Sequence, residues 1–116
     1  MVRPHYNLQA WKVAMMLVKG VYHLTRAFPQ EEIYGLTPQM RRAAVSIPSN
    51  LAEGAARTGR KEFAQFLSVA KGSLSELETQ LLISADLSYL DPKHSIFELV
   101  EEVSRLLSGL HRSISK

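Results

Sequence analysis

Six apolar residues in the middle of the chain, Phe63, Leu67, Ala70, Leu74, Leu77 and Leu81, recur in alternating steps of four and three. That spacing keeps returning to one face of an α-helix, whereas strand side chains alternate with a period of two. A stripe of about five helical turns has to be covered, and the remaining sequence offers further helices to cover it. No segment alternates with period two over the length of a strand, and neither Asn-Gly nor Asp-Gly occurs to turn a hairpin. The chain therefore reads as all-α.

Punctuation divides it into four helices. After Asn7, a potential N-cap, the residues Trp11, Met15, Val18 and Tyr22 line one face of a first helix expected from Leu8 to Ala27, ended by Pro29. Thr37-Pro38 reads as a hydroxyl cap followed by proline in the first turn. It opens a second helix with Met40, Ala44, Ile47, Leu51 and Ala55 inward, bent at Pro48 and ending between Gly54 and Arg57. Thr58 is the expected cap of the third helix, the one with the long stripe. Phe66, Val69 and Ile83 fall off that stripe, so either the core wraps widely or a second chain covers them. Asp91-Pro92 repeats the cap-and-proline pattern before a fourth stripe of Ile96, Leu99, Val103, Leu106, Leu110 and Ile114, backed by Glu98, Glu101, Glu102 and Arg105. Four helices with short connectors imply one domain over residues 1–116, an antiparallel up-down-up-down four-helix bundle. Two independent halves of 116 residues would each be too small to bury a stable core.

Several chemistries are excluded. The chain has no cysteine, which removes disulfides, thiolate metal sites and cysteine nucleophiles. A di-iron bundle needs Glu-x-x-His pairs, and no glutamate stands three residues before His5, His23, His94 or His111. The pair His94 and Glu98 supplies two ligands where zinc takes at least three from the protein. The stretch Gly54-Ala-Ala-Arg-Thr-Gly59-Arg60-Lys61 lacks the Gly-Lys-Ser/Thr ending and the preceding strand of a phosphate loop. Gly72-Ser73-Leu74-Ser75-Glu76 lacks the second glycine of a nucleophile elbow; Gly72 and Ser73 read as small residues that let helices approach. No catalytic residue, cofactor or metal is expected. The apolar run Val13 to Val18, held between Lys12 and Lys19, falls far short of the roughly 20 residues of a membrane helix. No secretory signal is apparent at the start, so the expected location is the cytoplasm.

Two polar patterns remain. On a helical wheel Arg42, Ser46, Ser49, Asn50, Glu53 and Arg57 share one face of the second helix, opposite its apolar stripe. Such a face suits solvent, or an interface in which Arg42 and Glu53 pair across turns or chains and Asn50 both donates and accepts. Charge is also uneven: residues 1–71 hold ten Lys/Arg against four Asp/Glu, and residues 72–116 hold four against seven. A basic half suits a polyanion, whose binding is driven by counterion release.

The run from Leu36 to Gly54, LTPQMRRAAVSIPSNLAEG, resembles the signature of the 23S rRNA intervening-sequence proteins. The block from Glu62 to Leu81 and the start Asn7-Leu8-x-x-Trp11 are similar to the same family. The resemblance implies a small bacterial protein forming an antiparallel bundle that assembles into a homopentameric ring, with no established reaction. It also implies likeness to the accessory protein of diversity-generating retroelements, which engages a reverse transcriptase and nucleic acid. The family's polar motif positions fall on Arg42, Ser46, Asn50, Glu53, Arg57, Ser73 and Glu76.

The expected function is thus a non-enzymatic homo-oligomeric scaffold associated with nucleic acid, RNA above all. The alternative is a protein-interaction module that binds no nucleic acid. Candidate phosphate contacts are Arg41, Arg57, Arg60, Lys61 and Lys71, repeated around a ring. With Phe63 and Phe66 expected in the core, the basic stretch offers few aromatics for stacking, so binding should tolerate sequence.

Overall fold

A computed structural model of the protein describes residues 3–115. Helices α1 (Gln9–Thr25), α2 (Leu36–Ala55), α3 (Arg60–Asp86) and α4 (Ile96–Ile114) form an antiparallel four-helix bundle, 44 × 24 × 22 Å, with no strand among the described residues. Each helix packs on two neighbours, α1 on α2 and α4, α3 on α2 and α4. Short 3-10 turns occupy Pro4–Asn7 and Gln30–Glu32.

The core is built from four inward stripes: Val13, Leu17 and Val21; Met40, Ile47 and Leu51; Leu67, Leu77 and Leu81; Ile96, Val103 and Leu107. The stripe expected for α1 is not the buried one. Ala10, Val13, Ala14, Leu17, Val21 and Leu24 face inward, while Met15 and Tyr22 are exposed and Trp11 and Val18 only half-buried. Helix α1 is apolar on two sides, and its alanine-bearing side admits closer neighbours.

Helix starts depart from the expected caps, and three of the four departures have a competing interaction. Asn7 lies inside the Pro4–Asn7 turn and Leu8 occupies the cap position of α1; the turn is held by His5 and Tyr6 packing on Trp11. Helix α2 starts at Leu36, ahead of Thr37, because the Leu36 N–H donates to Glu32 Oε1 at 3.0 Å. A Cβ on Gly35 would stand 2.6 Å from that oxygen, so glycine leaves the carboxylate its place. Pro38 still falls in the first turn, where backbone N–H groups lack helical partners. Helix α2 continues through Pro48, which is buried. Thr58 does not cap α3; Gly59 precedes it without a side-chain bond. Asp91 is spent in a turn, its Oδ1 accepting from the Lys93 N–H at 2.8 Å and its carbonyl from the His94 N–H at 2.9 Å. Helix α4 therefore begins at Ile96, whose N–H donates to His94 Nδ1 at 2.9 Å.

Candidate functional site

Three of the motif residues, Ser46, Asn50 and Ser73, meet on the outer seam between α2 and α3. This seam closes tightly because Gly54 carries no Cβ: one placed there would meet Phe66 Cβ at 2.8 Å and Phe63 Cδ1 at 2.9 Å. About two turns along, Ser46 Oγ and Ser73 Oγ are 2.8 Å apart, and Asn50 Nδ2 donates to Ser46 O (2.8 Å) and Ser46 Oγ (3.0 Å). Further along α3, Gln80 Nε2 donates to Glu76 Oε2 at 3.2 Å, leaving the buried Gln80 Oε1 without a partner. Gly72, expected at a close contact, has nothing near its Cβ position and is exposed; Ser73 is the small residue that meets α2.

The structure does not form an Arg42–Glu53 pair. Glu53 is held by Arg57 at 3.6 Å, one turn away, and Arg57 also approaches Glu62 at 4.0 Å and lies 5.1 Å over the Phe66 ring. Arg42 is exposed on α2, about three turns from Glu53. Ser46, Asn50 and Ser73 form one hydrogen-bonded cluster, Glu53 belongs to the Arg57 group, and Glu76 sits with Gln80. Hydroxyls that satisfy one another, with no base among them, make a clasp between helices. Among the described residues no group of three or more His, Asp or Glu could hold a metal ion.

The opposite flank of α2, facing α1, stays open. A groove of about 620 Å³ is lined by Tyr22, Ile33, Pro38, Arg41, Arg42 and Val45 among others, and a further hollow continues toward Trp11 and Met15. Ile33 is 54 % exposed and Tyr34 beside it 93 %. Arg41 is tied to α1: its Nε donates to Thr25 Oγ1 at 3.0 Å, an Nη donates to Tyr22 O at 3.4 Å, and its guanidinium lies 4.5 Å over the Tyr22 ring. The sequence pattern that signals this groove is the Trp11, Met15, Val18, Tyr22 stripe assigned above to the core.

The five candidate phosphate contacts do not form one patch. Antiparallel packing carries Arg57, Arg60 and Lys61 to the bundle end shared by the start of α1 and the end of α4, and leaves Arg41 at the far end. Lys71 lies between them, beside Ser108, His111 and Arg112 around a cleft of about 310 Å³. Arg41 is absent from the basic end, Arg3, Lys12, Arg105 and Arg112 join it, and Lys71 borders it through the cleft it shares with Arg112. Residues 3–12, 53–62 and 105–115 together hold seven Lys/Arg and two carboxylates, Glu53 and Glu62, both facing Arg57. At the other end, residues 22–42 and 82–98 hold four Lys/Arg and five Asp/Glu. The gathering is tertiary, and the halves of the sequence cannot show it. The basic end also carries the His5, Tyr6 and Trp11 rings, with centroids 4.8 to 5.6 Å apart.

Fold and surface define an all-helical bundle with a polar clasp between α2 and α3 and a marked charge difference between its ends. No helix among the described residues is long and apolar enough to cross a membrane. The chain belongs to the 23S rRNA-intervening sequence protein family, whose model matches residues 6–109. No curated protein matches it.

Proposed function

We propose that the protein is a non-enzymatic, self-associating scaffold that binds nucleic acid, RNA in particular, in the cytoplasm. The observation that carries this reading is the basic end of the bundle, where cations from three separate segments meet with two carboxylates among them. Phosphate binding follows cation density and releases counterions, and the family name points to the same class of partner. Self-association rests on apolar surface on two sides of the chain: Tyr22, Ile33 and Val45 at the α1–α2 groove, and Val69, Ile83 and Leu87 on the outside of α3. Two unlike patches on one chain suit head-to-tail contacts, which form a ring where the rotation closes; the family resemblance implies a ring of five members. A ring repeats each basic end, so weak single contacts add up. The groove also favours a second reading, a module that docks a protein partner.

Fluorescence anisotropy with structured and single-stranded RNA at two salt concentrations tests the nucleic-acid reading, because phosphate contacts weaken steeply with salt and apolar docking does not. Binding at low salt that falls as salt rises supports it. Undetectable binding at low salt contradicts it and leaves the protein-docking reading. Light scattering tests self-association, and a mass fixed near 13.0 kDa at all concentrations contradicts it.

A further inference from the structure

Basic surface alone takes any polyanion, but the basic end of this bundle also holds an ordered set of rings. His5 meets Tyr6 and Trp11 edge-on, with centroids 4.8 and 5.0 Å away and planes at 79° and 66°, and Tyr6 lies 5.6 Å from Trp11. The turn that carries them is fixed by Pro4 and by the Tyr6 N–H donating to Arg3 O at 3.1 Å. Tyr6 is nevertheless 42 % exposed. A ring held in one place by its neighbours and still open to solvent loses little freedom when something stacks on it.

We propose that this end of the bundle is a binding site for a single-stranded polynucleotide, with an unpaired base stacked on Tyr6 and the strand's phosphates on the surrounding cations. The inference rests on the nucleic-acid reading above and adds to it a contact to the base. Arg3 and Lys12 flank the rings in sequence, and Arg105 is brought beside Leu8, Gln9 and Ala10 by the packing of α4 on α1. No carboxylate occurs in residues 3–12 or 105–115, so nothing in these segments repels a phosphate. Glu53 and Glu62, the acids of the neighbouring α2–α3 connection, are both drawn to Arg57. Aromatic rings beside a cationic track bind single strands with little preference for sequence, because every base has a face to stack. A duplex hides those faces, so it engages only the cations. The stretch of Arg57, Arg60 and Lys61 itself offers few aromatics; the stacking partner proposed here comes from the turn Pro4–Asn7 before α1.

The test is an anisotropy titration of the full chain with three probes of equal length: labelled oligouridylate, an abasic strand, and a duplex. Oligouridylate should bind about tenfold tighter than the abasic strand, the scale of one stacked base, and all three should weaken with salt. Tyr6→Ala should remove the tenfold advantage and leave the salt dependence, while Tyr6→Phe should retain it; circular dichroism confirms that both variants fold. Trp11, the only tryptophan, is an internal reporter whose emission should change when oligouridylate saturates the protein and remain unchanged with the abasic strand. Equal affinity for oligouridylate and the abasic strand, or indifference to Tyr6→Ala, overturns this inference while leaving the basic-end reading standing. No binding of any probe at low salt overturns both. An oligodeoxyuridylate arm separates RNA from DNA as the source of the strand.

Discussion

The two ends of the bundle use their polar groups in opposite ways. At the end formed by the α1–α2 and α3–α4 connections they hold the chain to itself. Glu32 accepts from the first N–H of α2 and, at 2.9 Å, from the Tyr89 hydroxyl across the bundle; Phe28 packs on Tyr89 with centroids 5.3 Å apart; Arg41 spans to Thr25 and Tyr22. At the other end the turn before α1 is held by Pro4, its own backbone hydrogen bonds and ring packing, Arg57 takes both acids, and Arg3, Lys12, Lys61, Arg105 and Arg112 are exposed. A similar number of charged residues thus serves cohesion at one end and leaves an outward field at the other. Charge that serves cohesion should show in stability, and charge that faces outward should show in binding.

The largest stability effect should come from Glu32→Ala, which strips a helix cap and strands the Tyr89 hydroxyl; we expect a loss of about 2 kcal/mol in chemical denaturation. Arg41→Ala should cost about 1 kcal/mol, since it leaves Thr25 Oγ1 with fewer partners, although that hydroxyl still donates to Val21 O at 2.7 Å. Ser88→Gly should stabilise by up to about 1 kcal/mol. Ser88 sits at φ 65° just past α3, where the Tyr89 N–H closes on Ser84 O at 2.8 Å, and a side chain in that left-handed region is strained. Neutralising Lys61 or Arg112 should change stability by less than about 0.5 kcal/mol, as surface charges generally do. The smallest effect separates the Tyr89 bond from the cap. The hydrogen bond to Glu32, followed by burial and nearby acid charge, raises the Tyr89 hydroxyl above its usual 10.0. Its folded value being the higher, the stability it contributes is complete below that ordinary value and is lost as pH rises through the folded one. Spectrophotometric titration should show Tyr89 moving back toward 10.0 in Glu32→Gln; an unchanged titration would contradict the assignment of the bond.

The sequence exposes the fold more fully than the surface, for physical reasons. Apolar periodicity identifies four helices because each core face repeats over several turns, as Leu67 through Leu81 does. It misplaces the core face of α1 because Trp11, Met15, Val18 and Tyr22 are as periodic as Val13, Leu17 and Val21, and bulk draws the eye from the alanines that pack closest. Helix starts are misread where another nearby group takes the role of the expected cap: Glu32 for Thr37, His94 for Asp91, the ring cluster for Asn7. Ser46, Asn50 and Ser73 are visible as polar positions, but their meeting across two helices is set by Gly54 and the register it allows. The basic end is invisible in the linear charge balance, since Arg105 and Arg112 lie in the acidic half of the sequence and Arg41 in the basic half.

The central claim is that the position of charge on the bundle, more than its total, governs association with nucleic acid. Two triple variants of equal charge test it: Lys61, Arg105 and Arg112→Gln at the basic end, and Arg26, Arg42 and Lys93→Gln at the other. At one low salt concentration, with the same single-stranded RNA, the first should lose at least about tenfold in affinity and flatten the salt dependence, while the second should bind nearly as the unmodified protein does. Equal losses in the two variants, or a greater loss in the second, would contradict the account.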